Sequence, residues 1–406
     1  MKLLIVGNGV AGTTAARLAA ERDPSAEIHL YGDEPHLYYP RPRLINYLVG
    51  ELSPETLPQY PQKWYDKRNI HTHIGQALSS INPNEHQVEL TDGSLVDYDK
   101  LILANGACSF IPPITGSQLE GVVSLRTWQD ADKIRALARP GAHAVVLGGG
   151  LLGLDLAAAL CALQTHVTVV EMMPRLLPRQ LDEQGALVLT EMLTKRCMHI
   201  IVGDQCQEVC GQERVERVKL KSGMVLPVDL VAISAGIRPN IALAQTAGIT
   251  CNRGVVVDDL MQTSAKDVYA IGDVAEHGQL VLGIIPVALA QAKIAVGAVF
   301  GDSTIYIPIV PSTTLKVTGI DLVSMGDIHA ASDDIREVRV TDSAAGIYKK
   351  LVIRNGVVIG AILLGDLRQA RTAAALIEKK LDVSGVEERL LDKGFDPAGL
   401  EPRKGD

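Results

Sequence analysis

Apolar and polar positions follow two periods along this chain. Lys2 to Val6 is dominated by a continuous apolar run, read as a buried strand, and it leads straight into Gly7-Asn8-Gly9-Val10-Ala11-Gly12. The alanine-rich stretch Thr13 to Glu21 has helical periodicity, and Glu27 to Tyr31 returns to a strand that ends in Gly32-Asp33-Glu34. Strand, glycine loop, helix and strand in that order predict a βαβ unit. The design recurs with strand Ala144 to Leu147, loop Gly148-Gly149-Gly150-Leu151-Leu152-Gly153, helix Leu154 to Leu163, and strand His166 to Val170 ending in Glu171. Two such units, about 140 residues apart, predict two separate nucleotide-binding domains.

The remaining pattern places the boundaries. Gln87 to Leu95 alternates like a strand, Lys100 to Leu103 reads as a buried one, and Ala104-Asn105-Gly106 as a turn. Ile111-Pro112-Pro113 predicts a crossover into the second domain, and Ser234-Ala235-Gly236 the return. Val268 to Asp273 reads as a strand with a polar end, and Pro286 to Phe300 as a helix. From about Thr304 the texture changes to short strands (Thr313 to Val317, Ile347 to Ile353, Val357 to Leu364) and a helix, Ala370 to Lys380. The expected fold is therefore α/β, with two Rossmann-like dinucleotide-binding domains and a C-terminal α+β domain. Their expected spans are 1–110 with 236–303, then 111–235, then an interface domain of 304–383. A charged tail, 384–406, is expected to be partly disordered.

Composition narrows the classes. Hydrophobic residues make up 47% and charged residues 21%, the balance of a packed α/β protein. No apolar run reaches the roughly 18 residues that would span a bilayer, so no membrane contact is expected. The start Met1 to Val6 is similar to a short signal peptide, but it meets a glycine loop without a small-residue cleavage site and reads as a strand. A net charge of −8 argues against nonspecific nucleic-acid binding. The six cysteines (108, 161, 197, 206, 210, 251) form no Cys-x-x-Cys, which predicts scattered reduced thiols in a cytoplasmic protein. No ligand spacing for an iron–sulfur or sirohaem centre, or for any other metal, is present.

A G-x-G-x-x-G loop between strand and helix brings backbone close to a pyrophosphate and aims helix N–H groups at it. An acid ending the second strand accepts ribose hydroxyls and repels a 2′-phosphate. Asp33 or Glu34 holds that place in the first unit and Glu171 in the second. Asp273, closing a buried strand, has the chemistry to accept hydroxyl groups, or alternatively to cap a helix.

These features resemble the FAD/NAD(P) pyridine-nucleotide oxidoreductases, and within them the branch of NADH:rubredoxin reductases, oxygenase ferredoxin reductases and nitrite reductase flavin parts. The resemblance is carried by both glycine loops, Tyr38 to Leu44, Tyr98 to Gly106, Leu125-Arg126-Thr127, Tyr269 to Asp273, Ser312 to Ile320 and Tyr348 to Leu351. It implies that Gly7, Gly9, Val10, Ala11 and Gly12 hold FAD together with Asp33, Glu34, Arg41, Ala77, Ala104, Gly106, Arg126 and Asp273. Gly148, Gly150, Leu151, Leu152, Gly153, Asp155 and Glu171 are implied to hold NADH, and Gly236 joins the cofactor-binding set. Glu171 is followed by Met172 and Met173 rather than by arginines, which favours NADH over NADPH. Three positions depart from the family pattern. Asn105 replaces threonine, Asp155 replaces glutamate, and Asn46 stands where several relatives carry lysine, so no strong Lys–Glu pair is expected beside the flavin. Hydride transfer between two cofactors obliges no acid–base residue, and no catalytic side chain is assigned.

The resemblance implies hydride transfer from NADH to FAD. Lacking a cysteine pair or a thiol after Arg41, the chain is expected to pass electrons to a small redox protein such as rubredoxin or ferredoxin. Lys349, Lys350, Arg368, Arg371, Lys379 and Lys380 offer a basic patch for such a partner. Alternatives are a flavin subunit beside a metal-containing partner subunit, of nitrite reductase or carbon-monoxide-dehydrogenase type, and a non-catalytic FAD/NAD-binding redox sensor. A cofactor-free relative is a third. A homo-oligomer is compatible with the pattern.

Overall fold

The structure, a computed structural model, describes residues 1–309, 312–317, 319–330 and 332–403, so Thr318 and the last three residues lie outside the described residues. The chain divides into two compact units. The first joins residues 1–110, 126–128 and 236–309, and the second comprises 111–125, 129–235 and the C-terminal part.

In the first unit five parallel strands lie in the order Val268–Ala270, Lys100–Leu103, Lys2–Val6, Glu27–Gly32, Ile70–Ile74. Lys2–Val6 is central and Leu3, Leu4 and Ile5 are fully buried, because a parallel sheet is covered on both faces. Helix Val10–Arg22 begins inside the glycine loop, three residues before the expected Thr13. Ala15, Ala16 and Ala19 are buried on it, and helix Ile285–Val299 packs closely where small side chains let it approach. The expected strand Gln87 to Leu95 is instead two, Gln87–Leu90 and Leu95–Asp97, paired antiparallel. The turn between them needs a positive φ, which Gly93 supplies at 86°.

The second unit repeats this plan. Its parallel order is Met198–Val202, His166–Glu171, His143–Leu147, Leu230–Ile233, Val122–Val123, and it too carries a three-stranded antiparallel meander, Cys206–Gly211, Val215–Leu220, Val225–Pro227. A five-stranded antiparallel sheet follows in the order Ser312–Val317, Ile320–Gly326, Val357–Leu364, Ile347–Arg354, Ile335–Asp342. Helix Ala370–Glu378 packs on this sheet. Ile320–Gly326 and Ile335–Asp342 were not expected from the pattern.

Three sequence expectations change here. Residues from Ser384 onward, read as a charged tail, return Leu390 and Leu391 to the core of the C-terminal sheet, with Phe395 and Leu400 packed beside them. Cys161 and Cys197, expected as free thiols, form a disulfide with Cα atoms 6.1 Å apart. Helix Leu151–Ala162 and the start of strand Met198–Val202 bring them together across 36 residues of sequence, which linear spacing cannot show.

The third change is to the basic patch. Lys349 and Lys350 are only 4% and 3% exposed. Lys349 Nζ lies 2.7 Å from Asp366, which also pairs with Arg368. Lys350 Nζ lies 2.7 Å from Glu337 and 3.2 Å from Asp182. Burial alone would raise the Asp182 carboxyl. The Tyr348 hydroxyl, which donates to it at 2.6 Å, the Gly185 N–H and Lys350 outweigh burial and hold it below the usual carboxylate range. Both lysines are in internal ion pairs, and Lys350, through Asp182, ties the sheet to the N-cap of helix Glu183–Thr194, where Gly185 leaves room for the Tyr348 ring. Arg371, Lys379 and Lys380 remain on the surface.

Candidate functional site

The two glycine loops share one internal geometry. A Cβ on Gly7 would fall 2.1 Å from the Ala104 carbonyl oxygen, and one on Gly148 would fall 2.3 Å from that of Ser234. A Cβ on Gly12 or Gly153 would fall 1.9 or 2.0 Å from the carbonyl oxygen of the loop's own first glycine. These four glycines are required by the protein's own backbone. The middle ones are not: a Cβ on Gly9 or Gly150 would meet nothing within 4 Å. Each loop thus keeps an open cradle at a helix N-terminus, the shape and polarity that a pyrophosphate fills.

Around the first cradle the side chains fall into two sets. Asp33 is exposed, while Glu34 accepts from the Tyr39 hydroxyl and lies 3.3 Å from Arg41 Nη2. Burial and that bond to Glu34 push the Tyr39 hydroxyl pKa well up. Arg41 also donates to the Arg126 carbonyl, and Arg126 Nη2 donates to Asp273 at 2.6 Å. Asp273 is therefore in an ion pair and not a helix cap: it lies inside the short turn Gly272–Val274, whose N-cap is Ile271. It follows Gly272, whose φ is 76°, whose N–H donates 2.8 Å to buried Gln291, and where a Cβ would lie 2.9 Å from that of Ala11. Ala77 stands beyond strand Ile70–Ile74, its carbonyl accepting from Thr91 N–H, and Gly236, with φ 100°, has open space beside it. Gln291 and the Tyr39 hydroxyl were not singled out from sequence. A lone amide in the alanine-rich helix was the available signal for Gln291.

Around the second cradle Glu171 is buried. It accepts from Gly149 N–H at 2.6 Å and from Met173 N–H at 2.7 Å, so it braces its own loop. Leu151 and Leu152 open the helix, Leu152 largely exposed. Asp155 lies one turn further on, and burial pushes its carboxyl up to about 6. The folded chain holds that proton more tightly than the unfolded chain. Its contribution to stability therefore falls as pH rises from the ordinary value of 3.8 to about 6. Asp155→Asn should flatten this slope and raise stability above it by roughly 1–3 kcal/mol. Urea denaturation at about pH 5 and about pH 7.5 checks this; parallel profiles for parent and variant would contradict it.

Among the described residues no helix is long and apolar enough to cross a membrane, and no group of three or more acidic, histidine or cysteine side chains could hold a metal. Asn105 Oδ1 is buried without a protein partner beside the first cradle, as expected where a polar ligand completes the site.

Paired cradles of this kind, each in its own parallel sheet, define a two-nucleotide flavoprotein oxidoreductase. The chain belongs to the pyridine nucleotide-disulphide oxidoreductase family, whose pattern matches residues 1–292, and residues 311–381 match the rubredoxin NAD+ reductase C-terminal domain. The family binds FAD and a nicotinamide dinucleotide. The chain is 36% identical over 387 residues to nitrite reductase [NAD(P)H] of Bacillus subtilis (strain 168), covering 94% of this chain and 48% of that protein. It is 32% identical over 366 residues to NADH-rubredoxin oxidoreductase of Clostridium acetobutylicum, covering 90% of this chain and 92% of that one. The reductase in a covalent putidaredoxin reductase-putidaredoxin complex superposes with TM-score 0.85 at 26% identity, covering 97% and 96% of the two chains. The chain spans about half the length of the nitrite reductase relatives it matches.

Proposed function

We propose that this chain oxidises NADH and passes the electrons, through FAD on its first unit, to a small iron–sulfur or rubredoxin-type protein. The observation that carries the reading is the pair of open cradles, one in each unit, each kept clear by protein-enforced glycines on either side. In this reading Gly7 to Gly12, Asp33, Arg126 and Asp273 hold FAD, with Arg41 and Glu34 bracing one another at its edge. Gly148 to Gly153 hold NADH, and Glu171 disfavours a 2′-phosphate. When bound, the nicotinamide and flavin together supply the hydride chemistry, and the protein contributes binding, orientation and exclusion of water.

The exit route follows from what stands after Arg41. Leu44, Ile45 and Asn46 occupy the segment where thiol-relay relatives carry cysteine, and Asn46 donates to Glu51 at 2.6 Å. Electrons leaving without a thiol relay suit one-electron protein acceptors, working in the cytoplasm. Similarity to nitrite reductase supports a second reading, in which the chain is the flavin part of a larger complex and the acceptor is a metal-bearing centre of that complex.

The test is NADH oxidation by the yellow protein with ferricyanide, then with a rubredoxin and with a [2Fe–2S] ferredoxin. Turnover with ferricyanide and with one protein acceptor is expected. Turnover with ferricyanide alone would move the reading to the partner-subunit form. No NADH consumption by flavin-loaded protein would leave a binding sensor.

A further inference from the structure

We infer that Asn105 is a FAD-contacting and positioning residue, locked by a reciprocal pair of amide bonds to Asn240 so that its carboxamide oxygen accepts a hydroxyl or N–H of the cofactor. The inference rests on the assignment of FAD to the first cradle.

The turn Ala104-Asn105-Gly106 lies at the centre of that site. A Cβ on Gly7 would fall 2.7 Å from Asn105 N, so the turn's backbone rests directly on the first glycine of the loop. On its other side, a Cβ on Gly106 would stand 4.0 Å from Arg126 Nη2, the group that holds Asp273. Asn105 therefore sits between the pyrophosphate cradle and the Arg126–Asp273 pair.

Its side chain is held from one end. Asn105 Nδ2 donates to the Asn240 carbonyl at 2.8 Å, and Asn240 Nδ2 donates to the Asn105 carbonyl at 2.7 Å. Asn240 N–H adds a third bond, 2.9 Å to the Gly106 carbonyl. Next to this clasp, Ala107–Ser109 pairs antiparallel with Ile237–Pro239, where the chain leaves the first unit and comes back to it. Because only an NH2 can donate to the Asn240 carbonyl, the two ends of the Asn105 amide are distinguished. Its oxygen must face the opposite way, and that oxygen is buried without a protein partner.

A buried carboxamide oxygen calls for a donor. A pyrophosphate has only acceptors at neutral pH, whereas FAD offers ribose and ribityl hydroxyls and ring N–H groups. The orphan oxygen therefore selects the hydroxyl or N–H portions of FAD. The threonine usual in relatives has one short hydroxyl for such work, while asparagine clasps Asn240 and faces the ligand at once.

The test uses the flavin-loaded protein. FAD retained on serial dilution is read from flavin fluorescence, and thermal midpoints are taken with and without added FAD. Asn105→Ala should weaken FAD at least about tenfold, and shrink the FAD-dependent rise in midpoint while leaving the FAD-free midpoint within about 2 °C of the parent. Asn240→Ala removes the bond to the Asn105 backbone carbonyl but keeps the Asn240 backbone carbonyl that holds the Asn105 amide, so FAD affinity should stay within about threefold of the parent. The double variant should be no worse than Asn105→Ala, because Asn240 acts through Asn105. Asn105→Thr, which keeps an acceptor, should hold FAD within about threefold of the parent. If Asn105→Ala does not fold, Asn105→Val, which has the shape of threonine without an acceptor, is compared with Asn105→Thr: equal FAD affinity in the two overturns the inference. Parent-like FAD binding by folded Asn105→Ala overturns it outright. Gly9→Glu is the control for the assignment beneath it. If that variant keeps FAD the cradle assignment fails, whereas if it loses FAD and Asn105→Ala does not, only the role of Asn105 fails.

Discussion

Replacing Gly9 with glutamate should give a folded, colourless protein. Gly9 has φ −90° and ψ −168°, backbone angles open to any residue, and a Cβ there meets nothing within 4 Å. The protein itself therefore tolerates the side chain, which extends into the cradle and sets a negative charge where a pyrophosphate would lie. FAD affinity should fall by at least about a thousandfold, about 4 kcal/mol, with little change in the midpoint of the FAD-free protein. Gly7→Ala and Gly12→Ala form the contrast, since their methyl groups would strike backbone carbonyls at 2.1 and 1.9 Å. These variants should lose stability before they lose colour. The measurement is the ratio of visible to ultraviolet absorbance beside a thermal melt, and a fully yellow Gly9→Glu protein would refute the assignment of the first cradle.

NADH should exceed NADPH in kcat/KM by at least tenfold, about 1.4 kcal/mol of discrimination at the transition state. Glu171 lies buried with both carboxylate oxygens on backbone N–H groups, and a 2′-phosphate brought beside it meets a fixed charge of the same sign. Glu171→Gln removes the charge and keeps one acceptor, so it should narrow the gap mainly by improving NADPH. Glu171→Ala also strips Gly149 N–H of its partner, so KM for NADH should rise as the loop loosens. Steady-state kinetics with ferricyanide separate the two variants. Equal use of both coenzymes by the parent would refute the role given to Glu171.

What the sequence revealed, and what it hid, divides along local and distant chemistry. Both glycine loops were legible because each requirement falls within six consecutive residues and is flanked by strand and helix periodicity. Asp273 and Arg126 were each expected at the site from sequence, but their ion pair was not visible there, because 147 positions separate them. Lys349 and Lys350 misled for the same reason. Adjacent lysines read as a surface patch, yet the acids that neutralise them come from Asp366, Glu337 and, on another element, Asp182. Strand Ile335–Asp342 was missed because, as a sheet edge, it carries charge at many positions. The Asn105–Asn240 clasp had only a faint trace, one departure from a familiar triplet. Glu171 was found in its place, but its bonds to its own loop were not foreseeable from position alone.

The first unit is assembled from two stretches of chain, and this has a consequence for its birth on the ribosome. The strand Val268–Ala270, the Asp273 that follows it and the Gln291 that holds Gly272 are made long after Gly7 to Gly12. At roughly 5–20 residues per second, about 180 residues from the first crossover to Gln291 take roughly 10–35 seconds to appear. Until then the strand Lys100–Leu103 has an unpaired edge, and the cradle has a floor without its far wall. Flavin capture must therefore wait for the second stretch, while the parallel sheet of the second unit, whose strands all lie between Val122 and Ile233, is already available for pairing. Nascent chains arrested shortly before Val268 should emerge without flavin, and those arrested well beyond Gln291 should be able to carry it.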